Sequence, residues 1–333
     1  MYFIWIIMET PPYRYDEYVS KTNEEVMQNL FNYGVAIVPN VLNEEECSNM
    51  YSGMIGDLEH ITQSMPTPFK HADESTWRTW WELAPMHSML QQHWKLGHTQ
   101  TIWNIRQNPK VVKVFEDIWK TPSEQLLTSF DGVTLHFPPE KTRRGWYRNT
   151  WLHTDQSFMR PEFECVQSWI TALDVNEGDG TLTYLKGSHK FHERTRERFQ
   201  ITDKKDWFKI DKEIFNYYVD ELDCPQECIK CPAGSMVLWD SRLMHCGREP
   251  TKGREKENTR CVAYVCMTPR FFAKQAQLIK KQKAFNELRL TTHWPHRVKL
   301  FAKIPRLYGN PVPNVTDIEA PVLSELGKKL AGF

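Results

Sequence analysis

The sequence predicts an α+β protein with a mainly β core: an antiparallel barrel or jelly roll buttressed by helices at both ends. Three observations predict it. Between about 125 and 268 the chain is a series of short apolar runs separated by glycine turns. Before 125 and after 269 the apolar residues recur at helical spacing instead. No repeat or low-complexity linker divides the 333 residues, so one catalytic domain is expected over 1–333. It comprises a mostly helical buttress (1–124), a β core (125–268) with an insertion near 192–223, and a C-terminal helix and tail (269–333).

The first helix is expected over 22–34. Thr22 or Asn23 can cap it, Glu24 and Glu25 suit its first turn, and Val26, Leu30 and Phe31 make its apolar stripe. Gly34 can end it. Val35–Val38 reads as a short buried strand closed by Pro39. Asn43, followed by three glutamates, opens a second helix with Cys47, Met50, Met54, Ile55 and Leu58 on one face. Pro66, Pro68 and Pro85 then break regularity. Trp77, Trp80 and Trp81 read either as a pocket wall or lid or, more simply, as core packing. His71, His87, His93 and His98 lack partners at ligand spacing and read as surface or packing residues. Asn108-Pro109 opens another helix.

In the β core, strands are expected within 126–137, with a turn or bulge near Gly132, and at 151–156, 166–173, 181–185, 235–239 and 260–268. A basic helix over 270–289 and a short one near 322–331 follow.

Charge is balanced, with 42 basic and 42 acidic residues, which argues against a strong nucleic-acid or anionic-membrane field. The apolar start, Met1–Met8, lacks the basic leader and small-residue cleavage site of a signal peptide, and no segment is long enough to span a bilayer. The eight cysteines form no evident disulfide framework. Cys224, Cys228 and Cys231 lack a fourth ligand at finger-like spacing. Reduced thiols of a cytoplasmic protein are expected there, with a zinc site as the alternative.

The chemistry concentrates in Trp151-Leu152-His153-Thr154-Asp155-Gln156. On a strand, side chains two apart share a face, so His153 and Asp155 can grip one metal ion. His245 is the best third ligand. Two histidines and a carboxylate on one side of an ion form the facial arrangement of non-haem Fe(II) oxygenases, leaving positions for a bidentate 2-oxo acid and O2. A distal carboxylate on that acid calls for an arginine, whose planar fork binds it with two parallel hydrogen bonds. Arg260 opens a strand after His245, and Arg254 and Arg248 are loop alternatives.

Several motifs together resemble the phytanoyl-CoA dioxygenase family. They are His153-Thr154-Asp155-Gln156, the Asp174–Leu182 glycine turn, Gly187-Ser188-His189, Pro232-Ala233-Gly234-Ser235 running to His245, and Arg260. The resemblance covers about 20–270. It implies a double-stranded β-helix (a jelly-roll, cupin-like fold), with His153, Asp155 and His245 as ligands of Fe(II) and Arg260 as the anchor of the cosubstrate 2-oxoglutarate. O2 is the second cosubstrate. Gln156 and Trp169 fall where such enzymes often line the pocket, and Thr134 is a further lining position. His189 reads as structural. Halogenating relatives replace the carboxylate ligand with a small residue, so Asp155 implies hydroxylation. The expected function is hydroxylation of a C–H bond of a small or medium organic substrate, with 2-oxoglutarate decarboxylated to succinate and CO2. The alternatives are hydroxylation of a protein side chain and a catalytically inactive jelly-roll binding protein. Arginines 143, 144 and 148, or 194, 196 and 198, offer sites for the phosphates of a CoA thioester but read equally as solvated faces. Oligomeric state is not legible.

Overall fold

The computed structural model describes residues 10–84 and 89–333. The apolar start at 1–8, Pro85 and His87 lie outside the described residues. The strands, in chain order, are β1 (Tyr13–Arg14), β2 (Val35–Val38), β3 (Leu126–Thr128), β4 (Val133–His136), β5 (His153–Thr154), β6 (Val166–Thr171), β7 (Thr181–Leu185), β8 (Phe208–Lys209), β9 (Gln226–Ile229), β10 (Met236–Asp240), β11 (His245–Arg248) and β12 (Arg260–Pro269). They form two six-stranded sheets. One has the order β1-β9-β7-β11-β5-β8. The other has the order β2-β10-β6-β12-β3, with β4 also paired to β12. All pairings are antiparallel except β1 with β9.

The period-2 alternation of the second sheet divides its side chains between two environments. Met236 and Leu238 of β10 and Val166 and Ile170 of β6 pack outward, in one cluster with Met50, Met54 and Leu58 of the helix Glu44–Thr62 and Val112 and Phe115 of the helix Pro109–Trp119. Val237 and Trp239 of β10 and Trp169 of β6 turn the other way, packing with Leu182 and Tyr184 of the facing sheet. A strand covered on both faces reads as a continuous apolar run, as the sequence of β10 does.

The opening unit forms as its local chemistry dictates. Thr22 and Glu25 close a capping box at the start of helix Asn23–Tyr33, and Gly34 ends it in the left-handed region at φ 81°. Asn43 and Glu46 form a second capping box. One expectation fails here. Phe31 is 75% exposed rather than buried, its ring carrying the Lys190 ammonium instead of core. The tryptophans at 77–81 follow the simpler of their two readings, core packing: Trp80 and Trp81 are buried and Trp77 packs against the same core cluster.

The insertion carries the helices His192–Arg198 and Lys212–Asn216 and a π-helical turn at Tyr217–Glu221. Its two-residue strand β8 pairs with β5. The strand expected over 151–156 contracts to His153–Thr154. The C-terminal helix spans Gln275–Asn286, shorter than 270–289, because Arg270–Phe272 turns as a separate 3-10 segment. Strand β9 occupies the cysteine-rich stretch. Its thiols are not a metal site: all eight cysteines are buried and free, and among the described residues no metal-capable cluster includes one. Burial pushes the Cys224 and Cys231 thiols up to about 12 and Cys228 up to about 11, so they stay protonated.

Candidate metal centre

The site begins with the antiparallel pairing of β5 and β11, which sets His153 directly opposite His245, their ring centroids 4.6 Å apart. Asp155 follows in a bend, not in the strand. The backbone N–H groups of Asp155 and Gln156 both donate to the Ser241 carbonyl at 3.1 Å, and the Thr154 hydroxyl donates to the same oxygen. Ser241 is held in turn by the Cys165 carbonyl, which accepts from its N–H and its hydroxyl. The bend therefore carries Asp155 to the histidines that a longer strand was expected to supply.

The ligand atoms of His153, Asp155 and His245 lie within 4.8 Å of one another, and all three residues are buried. Asp155 Oδ1 is 3.5 Å from His153 Nε2, and Oδ2 is 3.2 Å from His245 Nε2. Each imidazole places Nδ1 against a backbone carbonyl, His153 on Trp151 (3.3 Å) and His245 on Leu243 (2.9 Å). A carbonyl only accepts, so Nδ1 carries the proton and the Nε2 lone pairs turn inward. The Trp239 indole N–H donates to His245 Nε2 at 3.1 Å, and the Gln167 amide donates to Asp155 Oδ2 at 2.8 Å. Burial lowers the His153 pKa, keeping the ring neutral. Burial alone would raise Asp155, but the histidines around it, His293 first and then His153 and His245, hold its carboxyl well below the usual range. Two imidazole nitrogens and a carboxylate oxygen, converging in a buried site, fit a divalent first-row metal.

A cavity of about 710 Å³ opens over these residues, walled by Gln167, Trp169 and Tyr264 from one sheet and Thr181 from the other. Arg260, at the start of β12, also lines it. Its guanidinium lies 4.7 Å over the Trp169 ring, Nη1 donates to the Gly180 carbonyl, and Nε is buried without a partner. No carboxylate lies within ion-pair distance of Arg260 among the described residues. Arg254 differs: its side chain is enclosed and bonded to Glu140 and Asp179. Arg248 stacks on Tyr147. Neither lines the cavity.

The remaining expected residues divide. Trp169 joins the cavity wall. Gln156 does not: its amide donates to the Arg160 and Glu162 carbonyls and fixes the following loop. Thr134 lies behind the wall, its hydroxyl 3.4 Å from that of Tyr264. His189 is structural, with Nε2 against the Phe31 carbonyl. Sequence reasoning missed Gln167, although it stands two residues before Trp169 on β6 and so shares its face. It also missed the segment 292–308, which walls the cavity without forming a helix or strand.

The fold and donor set together define a two-histidine, one-carboxylate metal centre at the base of a large cavity between two sheets. The family model of phytanoyl-CoA dioxygenase matches residues 31–254, about two thirds of the chain. The chain belongs to the phytanoyl-CoA dioxygenase family and is an iron- and 2-oxoglutarate-dependent oxygenase. It is 27% identical over 271 residues to Ava biosynthesis cluster protein O of Aspergillus versicolor, covering 79% of this chain and 83% of that protein. Its fold is similar to that of hypothetical protein JW0805 from Escherichia coli (13% identity, 94% of this chain and 82% of that one, TM-score 0.56). It is also similar to GlcNAc-inducible gene 2 of Candida albicans (13% identity, 93% and 81%, TM-score 0.53). Among the described residues no helix is long and apolar enough to cross a membrane.

Proposed function

We propose that this chain is a single catalytic domain whose two sheets are the faces of a double-stranded β-helix, and that it hydroxylates a C–H bond of a small or medium organic molecule. In this reading His153, Asp155 and His245 hold the iron and Arg260 anchors the distal carboxylate of 2-oxoglutarate. The observation that carries it is a buried arginine without a carboxylate partner in the same cavity as the ligand set. A buried cation left uncompensated is costly unless an anion arrives to meet it.

Iron, when bound, supplies the redox chemistry that couples decarboxylation of 2-oxoglutarate by O2 to oxidation of the substrate. The protein's own part is positional. Trp169 supports the flat face of the Arg260 guanidinium, directing its fork at a planar carboxylate. Gln167 fixes the Asp155 carboxylate against rotation. Trp151 stacks on His153 at 4.8 Å, excluding water from that ligand. A CoA thioester is not favoured as substrate, because neither the 143–148 nor the 194–198 arginines line the cavity.

The test is succinate formation from 2-oxoglutarate by the full chain with added Fe(II), O2 and ascorbate. Wild type is expected to release succinate, and His153→Ala to release none while retaining its fold by circular dichroism. Absence of wild-type turnover, or equal turnover in the variant, sinks the reading.

A further inference from the structure

Trp207 and Tyr308 share an unusual combination of features. Each lines the cavity, Trp207 from the insertion and Tyr308 from the C-terminal segment. Each is about half exposed, at 51% and 55%. Each also has a left-handed backbone, with φ of 66° and 52°, a conformation that bulky residues rarely adopt. Exposing a large ring and straining its backbone are both unfavourable to the folded chain alone. Residues of this kind cluster where a ligand is gripped.

The surroundings define what that ligand is. The Trp207 ring lies 5.5 Å from that of His153, beside the ligand set. Lys299 at the rim is paired with Asp206, the neighbour of Trp207, at 2.9 Å. Asp206 is bonded to Arg160 as well. Lys299, Asp206 and Arg160 satisfy one another, and the Arg306 guanidinium lies 5.9 Å over the Tyr308 ring, so the opposite face of Tyr308 and the exposed part of the Trp207 ring remain for the substrate.

We infer that Trp207 and Tyr308 are specificity-determining residues that select a flat aromatic substrate by stacking on its rings at the cavity mouth. This rests on the reading of the cavity as the substrate site. The insertion and the tail each contribute one aromatic surface, and the Lys299–Asp206 pair ties the two segments together across the rim.

The test uses two uncharged ketones of similar size, planar xanthone and saturated cyclododecanone. Equilibrium dialysis against the full chain measures their binding, anaerobically with Fe(II) and 2-oxoglutarate and again without either. Xanthone is expected to bind wild type about tenfold more tightly than cyclododecanone, the scale of one good stacking contact. Trp207→Ala and Trp207→Leu are expected to lose about tenfold for xanthone and little for cyclododecanone. Trp207→Phe retains most of the affinity, and Tyr308→Ala shows a similar selective loss. Failure of xanthone to bind overturns the inference, as does an equal loss for both ketones or a Trp207→Leu variant that binds xanthone like wild type. Because dialysis needs no turnover, a missing succinate signal with intact xanthone selectivity counts against the oxygenase reading and leaves the aromatic rim standing.

Discussion

Replacing Arg260 and Arg254 separately by alanine should have opposite consequences, and the structure sets the size of each. In Arg260, Nη1 is already committed to the Gly180 carbonyl, leaving Nε and the second amino group for a carboxylate. Charge-assisted hydrogen bonds contribute about 1.5–3 kcal/mol each, so two give at least about 3 kcal/mol. At about 1.4 kcal/mol per decade, Arg260→Ala raises the 2-oxoglutarate KM by roughly 100-fold or more. Its melting temperature should hardly move, because no carboxylate is orphaned. Arg254→Ala leaves Glu140 and Asp179 without their cation, and Asp179 also accepts from the Asn176 backbone and the Asn258 amide. Breaking the buried Arg254–Asp179 pair costs about 3–5 kcal/mol, the exposed Glu140 adding little. With an unfolding entropy near 2.1 cal/mol/K per residue over this length, the melting point falls by about 4–7 °C. The 2-oxoglutarate KM should stay within a few-fold of wild type. Initial rates of succinate formation against 2-oxoglutarate, paired with thermal unfolding of the same samples, measure both effects. A larger KM increase in Arg254→Ala than in Arg260→Ala would move the anchor and refute the assignment.

Gln167→Leu removes the amide that orients Asp155 and should weaken Co(II) binding, measured by calorimetry, about 10- to 100-fold; an unchanged affinity removes Gln167 from the site. Gly34→Ala forces a Cβ to within 2.5 Å of Leu243 Cδ1 and 2.7 Å of His189 Nδ1 at a left-handed φ. It should cost about 2 kcal/mol or more in urea unfolding, and a neutral result would contradict that packing. His98 is buried between the Trp103 indole N–H, which donates to Nδ1, and the Arg289 carbonyl, which Nε2 meets. Burial first, and Arg106 second, lower its pKa to about 3. The unfolded chain then binds the proton more readily than the folded one, so stability is intact above about 6.5 and falls as pH drops towards 3. The loss is at most about 1.4 kcal/mol per pH unit from this residue. Urea unfolding of His98→Gln should show a shallower slope between pH 6.5 and 4 than wild type, and parallel slopes would exclude His98 as a source of acid sensitivity.

Features governed by a few neighbouring residues were legible in the sequence. Thr22 with Glu25, Gly34, and Asn43 with Glu46 form their caps from local geometry alone, and the resulting unit lays β2 against β10. The convergence of His153, Asp155 and His245 was legible for a reason that proved only partly correct. His153 and Asp155 were expected to share a face of one strand, whereas Asp155 is brought round by a bend that depends on the Ser241 carbonyl, 86 residues away. The choice between Arg254 and Arg260 was not legible, because it turns on which arginine holds Asp179 and Glu140, and those partners are distant in sequence. The wall at 292–308 has no periodicity to read.

Gln156 and Gln167 show where the sequence held more than was taken from it. Gln156 stands beside Asp155 and was expected in the pocket, yet its amide serves the loop behind. Gln167 lies eleven residues further on and holds the Asp155 carboxylate. Strand alternation decides only the second case, because Asp155 and Gln156 both lie in the bend, where their N–H groups share the Ser241 carbonyl. If Trp169 lines the cavity, the residue two before it on the same strand lines it as well. Alternation about a known inward residue is therefore a better guide to this site than nearness in sequence to a ligand, and it points to Gln167 rather than Gln156 as the glutamine whose loss should be felt at the metal.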